Sequence, residues 1–201
     1  LLNSAYGALA NQHFRYYSLE MAEGITTSGQ LAIRWIDKNI NKYINNLLHT
    51  KDIDYVVASD TDSIYITFDR LVSQVFKEAR DFNQTSKIIS FLDRISKDKI
   101  EPYIDSCYQK LHSYVNSYAQ KMQMGREVIA DKGIWTAKKR YILNVYDSEG
   151  VKYKEPKLKI MGIESVRSST PEWCRDKIRE LIGVIINTDE DTVMKSILEY
   201  R

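Results

Sequence analysis

Cysteine is nearly missing from this chain. Cys107 and Cys174 are the only two in 201 residues. Two isolated thiols cannot supply a disulfide framework or a structural zinc site, so they read as ordinary part-buried thiols of a reducing compartment. Histidine is almost as scarce. His13, His49 and His112 show no metal-ligand or triad spacing. No uninterrupted apolar run is long enough to cross a bilayer, and no charged-then-apolar leader or lipidation motif is visible. A soluble, cytoplasmic protein is expected, in the host cytoplasm if the source is viral. Internal repeats, low-complexity stretches and flexible linkers are missing too. So is any strong excess of charge: the formal net charge is +2, which on its own says nothing about nucleic acid.

What is present is enough apolar material for a real core, 43% of residues against 28% charged, consistent with one or two globular domains. The charge is unevenly spread. Residues 132 to 159 hold eight basic and three acidic side chains, a local net of +5, which leaves −3 for the remainder. That pattern predicts a cationic strip on a mixed surface. The chain opens at Leu1-Leu2-Asn3-Ser4 without an initiator Met or an N-cap, and it closes at Arg201 inside an apolar-periodic segment. An excised piece of a longer protein is the expectation.

Hydrophobic spacing lays out the elements. Residues 22–48 carry a helical stripe of Trp35, Ile36, Ile40, Tyr43, Ile44, Leu47 and Leu48. Ile53 to Ser59 suits a buried strand, and Ser63 to Phe68 alternates with period two, so a β-hairpin should turn at Asp60-Thr61-Asp62. Residues 69 to about 119 read as helical, with breaks near Asn83 and at Glu101-Pro102. Lys121–Ala130, Gly133–Tyr146 and Val151–Ile160 read as extended, and Asp147-Ser148-Glu149-Gly150 as the turn between the last two. Ser169-Thr170-Pro171-Glu172 should open a helix with Pro at its first position, running to about Asn187, and a final helix should begin near Asp189. The fold class is α+β, an antiparallel sheet with helices on one face. A change of domain is expected around Met161-Gly162.

The acidic hairpin carries the first chemical signal. Phosphoryl-transfer chemistry on nucleotides needs divalent metals more than covalent help from protein. Hard cations such as Mg²⁺ accept one or two carboxylates and keep water or phosphate oxygen in the remaining positions. A tight turn with Asp60 and Asp62 at its tip meets that demand, although Asp and Thr are also plain turn residues. The second signal is Lys138-Lys139-Arg140-Tyr141, read here as lying on an alternating strand with Lys139 and Tyr141 on one face. Such cations can hold DNA phosphates, and a lysine in the minor groove meets acceptors present at every base pair. A solvated surface is the plainer alternative.

Taken together these motifs are similar to family B DNA polymerases, most specifically the replicative enzymes of T-even-type bacteriophages. Asp60-Thr61-Asp62-Ser63, within SDTDSIYITF, resembles their metal-binding motif, with Ala58-Ser59 where the family usually has Tyr-Gly. Asn3-Ser4-Ala5-Tyr6-Gly7 resembles their nucleotide-facing signature at the end of a fingers helix, fifty-seven residues ahead of Asp60; the signature's Lys falls before residue 1. Lys138 to Tyr141 resembles the element that grips the primer strand near its 3′ end. The resemblance implies Asp62 as principal metal ligand and Asp60 beside it. It implies Glu127 as an auxiliary catalytic acid, with Gly125 where many relatives carry a second acid. Asn3, Tyr6 and Gly7 would line the nucleotide pocket, and Thr61, Ser63, Lys138, Lys139, Arg140, Tyr141 and Lys159 would contact DNA. Residues 1–11 would end the fingers, 12–161 form the palm and 162–201 begin the thumb. Implied too are Mg²⁺ in a two-metal site completed by residues outside this chain, primer–template DNA and dNTPs as substrates, and a sliding clamp engaging only regions elsewhere. The chain alone is expected to be inactive. Two rivals remain: a DNA-binding module without catalysis, and a two-carboxylate palm enzyme such as a nucleotide cyclase, which has no primer duplex for a Lys-Lys-Arg-Tyr element to hold.

Overall fold

The structure is a computed structural model that describes residues 2–76 and 82–199, with side chains described for residues 6–76 and 84–199. It is a mixed helix-and-sheet fold with small antiparallel sheets. The chain forms two compact units, one of residues 1–81 and 94–125, the other of residues 82–93 and 126–201.

In the first unit, α1 (Leu2–Leu9) leads to the long α2 (Leu19–Leu47). Ser18 caps α2 by accepting the Met21 N–H at 3.3 Å, satisfying one of the free donors of the first turn. Ala32, Ile36, Ile40, Ile44 and Leu48 repeat every four residues and are buried, each isoleucine contributing about 1.5–3 kcal/mol by its removal from water. They pack with Ile104, Cys107, Tyr108 and Leu111 of α5 (Glu101–Val115). Trp35 Nε1 donates to the Cys107 carbonyl at 3.0 Å, and Tyr43 stacks on Tyr103 with ring centroids 4.1 Å apart. Leu47, expected on this stripe, is instead 43% exposed as the last residue of the helix. The expected break at Pro102 is also absent. The proline sits at the second residue of α5, directly after a π-turn at Ser96–Ile100 that joins α5 to α4 (Phe82–Ile95).

The strands β1 (Val56–Asp60) and β2 (Ser63–Ile66) form the anticipated hairpin. Its entry is pinned by Asn41, whose Oδ1 accepts the N–H groups of Tyr55 at 2.6 Å and Val56 at 3.2 Å. Ile64 and Ile66 pack on the core of this unit, which fixes the register and so determines which residues reach the turn. The short helix α3 (Asp69–Val75) follows.

In the second unit, β3 (Val128–Ala137), β4 (Arg140–Ser148) and β5 (Val151–Met161) form an antiparallel sheet in that order. Ile134, Ile142, Leu158 and Ile160 cluster with Ile178, Ile182 and Ile186 of α6 (Glu172–Asn187). Then comes α7 (Glu190–Glu199), opened by Asp189, which accepts the Thr192 N–H at 2.9 Å.

Three sequence expectations are corrected in this unit. Residues 121–127 form no strand, so Glu127 precedes β3 instead of lying on it. The single strand expected over residues 133–146 is two strands, broken by a turn at Lys138-Lys139. Neither lysine is a usual turn former, so the alternation runs through the turn unmarked. Pro171 is the N-cap of α6 and not its first helical residue.

Candidate functional site

The acidic turn is built by the hairpin register. Asp60 pairs with Ser63, leaving Thr61 and Asp62 as the two residues of the turn. Hairpins this tight need a left-handed residue to match strand twist, normally Gly or Asn. Here Thr61 takes that role with φ +40°, a costly conformation for a β-branched side chain. Its hydroxyl donates to Asp60 Oδ1 at 3.0 Å, and Ser63 Oγ donates to the Asp60 carbonyl at 3.2 Å. Thr61 and Ser63 therefore brace the turn from within, and Asp62 stands exposed at its tip. The charge of Asp62 is felt nearby. The Tyr108 hydroxyl is pushed up from its usual range chiefly by burial, then by the carboxylates of Asp105 and Asp62. Tyr108 and Asp105 carry no motif, and nothing in the sequence marks them.

Among the described residues no cluster of three or more His, Cys, Asp or Glu could hold a metal ion. Two aspartates on one rigid turn are nevertheless the donor set that suits Mg²⁺, which takes few protein oxygens and leaves positions for phosphate. The residues present fit that ion and do not fit zinc, which wants nitrogen and sulfur.

The cationic element belongs to the second unit. Lys138 and Lys139 form the β3–β4 turn, both exposed, with Lys139 at φ +61°. A turn projects both ammonium groups outward, whereas the strand expected from sequence would have sent them to opposite faces. Arg140 is committed elsewhere, its Nη2 donating to Glu164 Oε1 at 3.1 Å. Glu164 in turn has its carboxyl held below the usual range, first by its own backbone N–H and then by Arg140. Tyr141 lies beside Trp135, its cross-strand partner, with ring centroids 6.4 Å apart.

Two further candidates meet each other. Lys159 Nζ donates to Glu127 Oε1, so the proposed auxiliary acid and a proposed DNA contact are joined as an ion pair. The neighbouring Arg126 bridges Asp93 of α4 and the fully buried Asp147 of β4. The expected turn at Asp147-Ser148-Glu149-Gly150 is shorter in the structure, with Asp147 still on β4 and fully buried, and no local signal marks a buried carboxylate at such a place.

At the other end of the chain, Tyr6 is 49% exposed on α1. A Cβ added at Gly7 would meet nothing within 4 Å among the described residues. The side chain of Asn3 lies outside the described residues. No helix among those described is long and apolar enough to cross a membrane.

These features find counterparts in known proteins. The family model described as DNA polymerase family B matches residues 1–200. The chain is 42% identical over 203 residues to the DNA-directed DNA polymerase of Enterobacteria phage T4, covering 97% of this chain and 22% of that protein. It is also 42% identical over 198 residues to the DNA-directed DNA polymerase of Escherichia phage RB69, covering 94% of this chain and again 22% of the relative. The chain thus spans about a fifth of the length of the curated relatives it matches. With the match running from the first residue to the two-hundredth, through both the acidic and the cationic turn, this chain belongs to DNA polymerase family B.

Proposed function

We propose that this chain supplies the acidic and cationic turns of a template-directed DNA polymerase that adds dNTPs to a primer 3′ hydroxyl. The observation that carries the reading is the hairpin tip, where a two-residue turn strained at Thr61 presents Asp62 beside Asp60. Asp62 is the principal holder of Mg²⁺ and Asp60 its neighbour. When bound, the metal stabilises the negative charge that develops on the attacking and leaving oxygens of nucleotidyl transfer. Further ligands come from residues beyond this chain, and the chain alone is inactive. Glu127 is an outer acid whose charge is shared with Lys159.

The remaining residues bind and orient substrate. Lys138 and Lys139 grip the primer strand electrostatically, an affinity that weakens with salt. Arg140, Tyr141 and Lys159 support that grip, with Thr61 and Ser63 beside the primer end. Tyr6, Gly7 and Asn3 border the incoming nucleotide. In this scheme residues 1–11 close the fingers, 12–161 make the palm and 162–201 begin the thumb, and the enzyme works in the cytoplasm of an infected host, with any sliding clamp docking elsewhere.

The test is Asp62→Ala in a polymerase of full family length carrying these residues. Primer extension should fall by at least 10²-fold, with primer–template affinity within about twofold of wild type. Activity that falls only in step with DNA binding would favour a purely DNA-binding role for this segment.

A further inference from the structure

The cationic turn is seated on a corner that no motif marks. Gly162 follows β5 directly, with φ +67°. A Cβ at this position would fall 2.1 Å from the Lys139 carbonyl oxygen, 3.1 Å from the Lys139 carbonyl carbon and 3.2 Å from Arg140 Cγ. The first is far inside any real contact, and the obstacle is backbone that cannot swing aside. Nor can the corner retreat. On one side Met161 is the register partner of Tyr141. On the other, Ile163 packs into the apolar cluster of Ile142, Ile182 and Ile186. Two residues further on, Glu164 holds the Arg140 guanidinium at 3.1 Å and has Arg167 at 3.9 Å. Lys139 meanwhile sits at φ +61°, which a lysine keeps only where its surroundings over-determine it.

We propose that Gly162 is a positioning residue that seats the backbone of Lys139 and thereby aims its ammonium group at the primer–template duplex. The inference rests on the DNA-binding role given above and deepens it. Gly162 itself touches no DNA. Its bare Cα lets the β5 corner close on the turn, and Glu164 holds the neighbouring Arg140 in an ion pair.

The experiment is fluorescence anisotropy with a labelled primer–template duplex, using the full chain and a salt titration from about 50 to 200 mM. Lys139→Ala should weaken binding roughly tenfold and flatten the log–log salt slope by about 0.9, the value for one phosphate contact. Lys138→Ala should also weaken binding, and its loss should add in full to that of Gly162→Ala, because Gly162 acts through Lys139 alone. Gly162→Ala should reproduce the Lys139→Ala loss, and should add less than about twofold when Lys139 is already alanine, as expected of residues acting through one contact. A general packing defect would instead add its full loss in both backgrounds. If Gly162→Ala does not fold by circular dichroism, Lys139→Ala decides alone, and an unchanged affinity and salt slope there overturn the proposal. Wild-type chain that fails to bind the duplex at low salt removes the DNA reading and this inference with it. Wild-type binding with Gly162→Ala unchanged removes the inference only.

Discussion

Asp147→Ala should be among the most destabilising single changes in the second unit, and the structure indicates by how much. Asp147 is 0% exposed, and the Arg126 side chain that bridges it to Asp93 is 9% exposed. Burial opposes the Arg126 charge, but the hydrogen bonds and charges of Asp147 and Asp93 outweigh it and hold its pKa above the usual value. Asp147 Oδ1 also accepts the Gly150 N–H at 2.9 Å, closing the β4–β5 turn. The truncation therefore removes two bonds to a carboxylate and takes from a buried guanidinium its fully buried counter-charge. Breaking a buried pair costs about 3–5 kcal/mol. Asp93 remains to share the charge, so the lower end, about 3 kcal/mol, is expected. With a urea slope of about 2 kcal/mol/M, the unfolding midpoint should fall by roughly 1.5 M at unchanged slope. Asp93 is 20% exposed, so Asp93→Ala should cost less, about 1 kcal/mol. Replacing Arg126 and Asp147 together by Met and Leu should recover most of the loss, since an apolar pair carries no desolvation penalty. A midpoint shift below about 0.5 M for Asp147→Ala would refute the argument, for then the pair is not isolated from water.

Thr61→Gly relieves left-handed strain but loosens the unfolded chain less favourably and deletes the Thr61–Asp60 bond, so stability should stay within about 1 kcal/mol of wild type by urea titration. A larger loss would mean that Thr61 contributes packing that its exposed position does not suggest. Tyr103 should make the fold sensitive to alkali. Burial, then the charge and hydrogen bond of Cys107 and the charge of Tyr43, push its hydroxyl up to about 12 from 10.0. The folded state thus favours the neutral phenol, so this contribution is intact below pH 10 and lost as pH climbs toward 12. Urea midpoints measured at increasing alkalinity should fall less steeply in Tyr103→Phe, and identical slopes would exclude Tyr103 as the source.

The parts of the fold written in local chemistry were legible. The apolar stripe of α2 declared itself because Ile36, Ile40 and Ile44 recur at helical spacing with polar residues between them. The β1–β2 hairpin did so because two well-patterned strands flank a turn of Asp and Thr. What escaped was written in distant residues. The β3–β4 turn is invisible in Lys138-Lys139 because the residue that shapes it, Gly162, lies on the far side of β5. In the sequence, Met161-Gly162 marks only a passage from strands to helices. Glu127 read as a strand residue, and its pairing with Lys159 could not be foreseen from a separation of more than thirty positions.

The two turns that carry the proposed chemistry share a physical oddity. Left-handed backbone in a non-glycine residue is tolerated best by Asn, Asp and His, and His49, Asp52 and Asn116 follow that preference. Thr61, Lys139 and Glu149 do not, and the first two of these lie in the turns of the proposed site. A chain under pressure only to turn would place Gly or Asn at both, with a gain in stability. Threonine at the first position braces Asp60 with its hydroxyl, and lysine at the second is the cation proposed to face DNA, its carbonyl lying against Gly162. Local rules fail at these turns because the side chain is needed there more than the easy backbone, which is where departures from turn preference should concentrate in a binding or catalytic surface.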